Sequence, residues 1–540
     1  MRSIASAFRA ATEACRRFIC LTAIGLVFCP ANLATQQPRY GGTLRVELHA
    51  ASVTLDPRKW KAGSVESAAS EKMAELILDR LITLDVYGHF QPGLAVRWSD
   101  DGGPYHRWQF TLRSGIKVSD GTVLTGNDVV AALQPLLPSG QQITTSGNAV
   151  IFQSSTPVPD LLEQLASGPF FVYRIQADGT LVGTGPFVIA ETSQGSNEDT
   201  TRSPGTAARL HFRANADCWS GRPFVDAVEV TLGVPALRAM FDLQMGKADI
   251  VEIAPDLVRR AAQANLRIWS SEPVILYALR FDDAQPAASD ARLRESLSLS
   301  LDRGTMANVL LQKQAQPVAA FLPQWLSGYA FLFSVDTNPE RAKEIRSTLP
   351  ANEAAGAEPL RLRVDAPGDL SKLLGERVAV NARQAGFRVQ VVGRPSQHAA
   401  SATAASDPPA GIHLVAWRYS ELSPRAELDS MLKTFGIAEA SGENFAGENP
   451  EQLYARERRV LEGQRILPLV SHPEYVGLGP AVRDWMPTRW GEWHLADAWL
   501  DLPEPASAPA SPGQNGSSKP ANPAAQSFLD PQAGAYGARP

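Results

Sequence analysis

Cysteine is almost missing from the body of this 540-residue chain: Cys15, Cys20 and Cys29 lie near the start, and only Cys218 follows. A lone thiol cannot close an internal disulfide or complete a CxxC metal or redox site. The expected role of Cys218 is that of a small buried hydrophobe beside Trp219. Catalytic signatures are lacking as well, with no GxxxxGK[ST], no GxSxG, no HExxH, and eight scattered histidines. His472 with Glu474 comes nearest to a metal or acid–base pair and is read as structural, and Gly183-Thr184-Gly185 is read as a turn rather than a phosphate loop. Basic excess is absent too: 51 Lys and Arg stand against 56 Asp and Glu. Without a basic stripe carrying aromatics, nucleic acid is not an expected partner. Neither a catalytic site nor a metal or cofactor is expected.

The ends differ from the rest. Arg2, Arg9, Arg16 and Arg17 precede an apolar run over 18–28, which Pro30 and Asn32 close, and the small residues Cys29, Ala31 and Ala34 follow. That run is shorter than the ~20 residues of a spanning helix. Residues 1–34 are therefore expected to be a signal peptide, with the mature protein periplasmic. Bulky Ile19 and Phe28 before Cys20 and Cys29 argue against a lipobox. Without this leader the chain keeps 47 basic and 55 acidic residues, a net charge of −8. Residues 503–540 are dominated by Pro, Ala, Ser, Gly, Asn and Gln and are expected to form a disordered tail. Between the ends, 540 residues exceed what a single core of ~250–300 residues supports, so more than one lobe is expected.

The densest local signal runs over 94–133. Trp108, Phe110 and Leu112 alternate with Arg107, Gln109 and Thr111, which puts the apolar residues on one face of a strand. Ser114-Gly115 and Asp120-Gly121 supply turns for two hairpins, with Ile116 and Val118 between them. Thr125 stands three residues before Asp128 in capping-box spacing, so a helix is expected from Gly126 or Asn127. Short β-rich runs follow at 210–212, 228–231, 275–280, 360–364, 388–392 and 413–417. Helical spacing marks 236–245, 291–311, 339–349 and 370–385. Such alternation argues for an α/β fold with largely parallel sheets.

The order of these pieces resembles the bacterial extracellular solute-binding proteins of family 5, receptors of oligopeptide, dipeptide and nickel importers. Leu94-Ala95-Val96-Arg97-Trp98, Ser99-Asp100-Asp101-Gly102, the run from Gln109 through Ile116, and Asp120-Gly121 through Val129 are similar to its L-A-x-x-W, S-x-D-G, T-F-x-L-R-x-G-V and D-G-x-P-L-T-A-x-D-V segments. Gly41-Gly42-Thr43-Leu44 with Thr54-Leu55-Asp56-Pro57 resembles its opening strand and loop, Gly183-Thr184-Gly185-Pro186-Phe187 its G-T-G-P-Y turn, and the run from Asn215 through Phe224 its N-P-D-Y-W-x-G-x-P-Y segment. Gly246-Lys247-Ala248-Asp249-Ile250, Leu301-Asp302-Arg303 and Asn338-Pro339-Glu340 continue the series. The resemblance covers roughly 40–500.

It implies a two-lobed periplasmic-binding-protein fold of type II, with lobe I from 35–270, lobe II from 271–470 and a return to lobe I over 471–502. Two segments, near Arg267–Phe281 and 467–476, would cross between the lobes. The implied function is that of an exported receptor for an ABC importer: a monomer that captures a small, peptide-like solute and presents it to a membrane permease. A family-like periplasmic sensor or scaffold is the alternative, and an exported hydrolase on another fold a third reading.

The ligand should sit at the carboxyl end of the strand over 412–417. There the family carries W-x-x-D-Y-P-D-P, whose first Asp pairs with a peptide α-ammonium in peptide-binding members. This chain has Trp417, Arg418, Tyr419, Ser420, Glu421, Leu422, Ser423 and Pro424, with serine in place of both aspartates. A hydroxyl does not replace a charge-assisted bond, so free peptides are expected to bind weakly unless Glu421 supplies the carboxylate. Trp417 and Tyr419 beside Arg418 suit a planar or apolar ligand with an acidic group. Trp60, Tyr277 and Arg425 complete the expected contacts.

Overall fold

Alternation and capping in 94–133 become structure directly. In the computed structural model, which describes residues 37–103, 105–192, 208–282, 286–329, 333–349, 359–393, 410–437 and 448–501, strand Ala95–Asp100 pairs antiparallel with Arg107–Leu112, and Trp98 faces Phe110. The expected signal peptide and tail lie outside the described residues. Trp108, Phe110 and Leu112 point into the core while Arg107 is exposed. Strands Ala149–Ser154 and Gln141–Ser146 complete a four-stranded sheet. The second expected hairpin is reduced to one bridge, Lys117 to Val123. Helix Gly126–Leu133 starts where expected, with the Thr125 backbone N–H donating to Asp128 Oδ2 at 2.7 Å.

The large sheet contradicts the expectation of parallel pairing. Thr43–Leu48 pairs parallel with Ala227–Leu232 and Ile250–Ile253, and Leu360–Val364 pairs parallel with Val389–Val392 and Ile412–Arg418. Between these two parallel groups lie the long strands Arg267–Phe281 and Ile466–Leu478, antiparallel to each other and to their neighbours. The mixed character follows from connectivity: one long strand carries the chain out of the first half and the other brings it back. The expected helix over 291–311 is also interrupted. Ala291–Ser300 stops, Asp302 accepts from Thr305 N at 2.9 Å to start a new turn, and Met306–Leu310 continues as a π-helix.

Two apolar cores flank the crossing. One gathers Leu44, Val46, Phe110, Phe171, Phe187 and Trp493, and the other Val274, Leu279, Leu301, Leu362, Leu374 and Leu414. The long strands contribute to both, with Val476 and Leu478 in the first and Leu467 and Val470 in the second. Their register is irregular around Ser270, Pro273 and Ile275, where the chain passes from one core to the other. Beside this passage Glu272 N donates to Arg489 O at 2.6 Å. Cys218 is buried, and its thiol contacts Ser220 Oγ at 3.2 Å. Among the described residues no helix is long and apolar enough to cross a membrane.

Candidate functional site

Strand Ile412–Arg418 ends at a cavity of about 610 Å³, within the ~300–1,000 Å³ of small-molecule sites. Both halves of the fold line it. The first half supplies an apolar wall of Trp60, Leu136, Leu137 and Phe170, and the second a polar wall that includes Arg418, Ser420, Glu421, Arg425 and Lys433.

The loop after the first strand places the apolar wall. Asp56 caps the short turn Pro57–Lys59, accepting from Arg58 N at 3.1 Å. Trp60 then donates its indole N–H to Thr54 O at 2.8 Å and meets Phe171 edge-on, ring centroids 5.8 Å apart. The same loop closes onto the second half, where Gly63 O accepts from Arg418 N at 2.9 Å. Gly63 has φ +69, and a Cβ there would stand 2.1 Å from Trp417 Cε3. Only glycine permits this approach.

A second set of contacts joins the halves on the other side of the cavity. Leu422 N donates to Ser167 Oγ at 3.2 Å, Ser423 Oγ bonds Asp160, and Arg425 Nη2 donates to both Asp160 oxygens at 2.9 Å. Gly168, at φ +56, lies against Glu421, whose Oε1 would be 2.7 Å from a Cβ. Ser423 also caps helix Pro424–Phe435, accepting from Ala426 N at 3.1 Å. That helix turns Arg425, Asp429 and Lys433 toward the cavity at four-residue spacing.

Of the residues expected from sequence, Trp60, Arg418, Ser420, Glu421 and Arg425 line the cavity. Trp417, Tyr419 and Tyr277 do not: they are 2%, 3% and 6% exposed. Trp417 packs on Phe435 with its indole N–H on Glu427, the Tyr419 hydroxyl bonds Phe321 O, and Tyr277 stacks on His472 at 5.7 Å. The strands that carry Trp417 and Tyr277 are covered on both faces and Tyr419, just past the strand end, turns inward, so these rings serve the core rather than a stacking surface. Leu136, Leu137, Phe170, Lys61 and Lys433 escaped the sequence reading. Only Lys433 left a signal, the i, i+4, i+8 spacing from Arg425 on a helix that Ser423-Pro424 starts.

Arg418 is the centre of a buried ionic network that joins the halves. Its guanidinium approaches Glu474 Oε1 at 3.3 Å and Glu71 Oε2 at 3.7 Å, and donates to Trp490 O and Tyr419 O at 3.0 Å. Lys72 reaches Glu474 at 3.0 Å and Glu252 at 3.3 Å. Arg80 donates to Glu71 Oε1 at 2.6 Å and Gly168 O at 2.9 Å. Glu71, Glu75 and Glu492 have the spacing of a metal cluster, but the Arg80 guanidinium already lies within 3.6 Å of all three. Burial opposes the charges of Lys72 and Arg418, yet their carboxylate partners outweigh it and raise both. Glu474 is held low by Lys72 and Arg418 against the cost of burial.

Other carboxyls move the opposite way. Burial raises Glu71 to about 7 although Arg80 and Arg418 oppose it. Glu421 is pushed up to about 8, by burial first and then by Glu427 and Glu71. Its Oε2 is shut off from solvent and has no hydrogen-bond partner among the described residues. Glu427 rises to about 7 by burial, although Glu421 N and Ser420 N donate to it at 2.7 and 3.2 Å. The described lining thus offers a ligand an apolar wall, hydroxyls and charged groups of both signs.

Residues 89–439 match the profile of "Bacterial extracellular solute-binding proteins, family 5 Middle". Protein XP55 of Streptomyces lividans is 26% identical over 275 residues, 46% of this chain and 47% of that protein. A probable deoxycholate-binding periplasmic protein of Escherichia coli, YgiS, is 38% identical over 108 residues, 19% of this chain and 18% of that one. The chain spans about half or less of the length of these curated relatives. The Escherichia coli murein tripeptide binding protein MppA superposes with a TM-score of 0.69 at 16% identity, covering 86% of this chain and 99% of that one, which shows a shared fold.

Proposed function

Because the chain belongs to the bacterial extracellular solute-binding proteins, family 5, we propose that it is the solute receptor of an ABC importer, exported by residues 1–34 and acting as a monomer in the periplasm. The single observation that supports this most is the cavity of about 610 Å³ lined from both halves of the fold. A ligand there touches both walls only when the halves are together, so it has differential affinity for the closed form and draws the equilibrium toward it. In this reading lobe I is 35–270 with 471–502, lobe II is 271–470, and the hinge lies where the long strands lose register near Ser270 and Pro273. A membrane permease then senses the closed pair. Relatives are named for ligands as different as a murein tripeptide and deoxycholate, so the lining of this cavity must decide the class.

Mass spectrometry of the natively purified chain tests the proposal. One small solute, released on denaturation at close to one per chain, is the expected result. A chain that carries no solute, and that no member of a peptide, chelate and organic-acid panel closes, would overturn it.

A further inference from the structure

The cavity divides its chemistry unevenly, and the division points to a kind of solute. Five cationic side chains line it (Arg58, Lys61, Arg418, Arg425 and Lys433) against the three carboxyls of Glu71, Glu421 and Asp429. Most of these charges are already matched. Arg58 lies 2.9 Å from Asp56, and Arg425 bonds Asp160 and Asp429. Asp429 also holds Arg456 at 2.5 Å, while Glu71 lies between Arg80 and Arg418. Lys61 and Lys433 remain. They are exposed at the rim, one from each half, and neither forms an ion pair among the described residues.

We infer that the solute is an amphipathic organic anion, its apolar body against Trp60, Leu136, Leu137 and Phe170 and its anionic group between Lys61 and Lys433. This rests on the receptor reading above and names its ligand class. Glu421 sharpens the choice from inside. A ligand ammonium reaching that carboxyl must first ionise a group pushed up to about 8, about a tenfold penalty at pH 7. A neutral carboxyl at the cavity wall gives a ligand ammonium no ionic partner, which leaves the lysines to set the sign of the solute. A rim anion also bridges the halves: with one lysine on each, it gains its second partner only on closure, which adds to the closed-state preference.

Three probes with one body and different heads test this on the full mature chain: 1-pyrenebutyrate, 1-pyrenebutanol and 1-pyrenebutylamine, with tri-alanine as a fourth. Fluorescence titration is expected to show the acid binding at least tenfold more tightly than the alcohol and the amine. Lys61→Gln and Lys433→Gln should each remove most of that advantage while leaving the alcohol unchanged, and added salt should weaken only the acid. Equal or better binding of the amine or alcohol, or an advantage that survives both substitutions, overturns the inference. Tri-alanine or a nickel chelate binding where the acid does not also overturns it, and leaves the receptor reading standing. If none of these probes nor the wider panel binds, the receptor reading itself fails.

Discussion

Gly63→Ala is the perturbation whose effect can be worked out most fully from the structure. The new Cβ would stand 2.1 Å from Trp417 Cε3, where van der Waals contact needs about 3.5 Å or more. Trp417 cannot swing aside, since its indole N–H is held by Glu427 and its ring packs 5.3 Å from Phe435. Relief must come from separating the loop around Gly63 from the strand, which also stretches the 2.9 Å bond from Arg418 N to Gly63 O. Overpacking costs about 1–3 kcal/mol and the bond about 1 kcal/mol, so closure loses about 2–4 kcal/mol. That corresponds to a roughly 30- to 1,000-fold rise in the Kd of the solute that co-purifies with the chain. Alanine at positive φ carries its own cost of about 1–2 kcal/mol in either state, and Gly102→Ala measures it separately. Gly102 has φ +84 with nothing within 4 Å, so that variant should lose some melting temperature and no affinity. Calorimetry of the two variants side by side decides the point. If Gly63→Ala binds within threefold of Gly102→Ala, the contact does not report closure and the reasoning is refuted.

Asp160→Asn removes the charge that Arg425 and Ser423 share across the halves. It should weaken solute binding about 5- to 30-fold with little change in the unfolding midpoint, and a double-mutant cycle with Arg425→Ala should show coupling of about 1–2 kcal/mol. Absence of coupling would mean the pair is incidental. Glu421 carries a sign that can be checked. Its folded pKa, raised to about 8, leaves the native state holding a proton that the unfolded chain has released between about pH 4.5 and 8, so stability falls as pH rises through that window. Glu421→Gln should therefore gain on the wild type between pH 5 and 8 in urea unfolding, at up to about 1.4 kcal/mol per pH unit. Glu71 and Glu427 keep part of the slope, and an unchanged slope would count against the raised value. Cys218, buried and with its thiol pushed up by burial, should react slowly with a disulfide reagent in the native protein. The unfolded mature chain should titrate one thiol, whereas four would show the leader retained.

Much of the frame was legible because its signals are local. The alternation through Trp108, Phe110 and Leu112 and the Thr125–Asp128 spacing depend on neighbours within a turn, whereas of the long strands Arg267–Phe281 and Ile466–Leu478 only 275–280 reads as a β-rich run, and the two crossings came from the family resemblance. The site was legible only in outline. Strand Ile412–Arg418 is covered on both faces, so alternation along it could not tell that Trp417 turns inward while Ser420 and Glu421 reach the cavity. Arg418 was expected to meet an acidic group of the ligand, and nothing local showed that its guanidinium pairs instead with Glu71 and Glu474, 347 and 56 residues away. Leu136, Leu137 and Phe170 look like any other apolar residues until the fold brings them opposite residue 421. Parallel pairing failed as an expectation for a related reason: β-propensity marks strands, whereas direction is set by how the chain leaves one half and returns to the other.

The central claim is that one solute holds the two halves together around this cavity, and small-angle scattering of the same preparation before and after the solute is stripped tests it most directly. The account predicts that stripping expands the particle by an ångström or more in radius of gyration, that returning the solute restores the compact form, and that Gly63→Ala stays expanded at solute concentrations that close the wild type. A chain that remains equally compact without solute, or that expands without responding to its return, would contradict it.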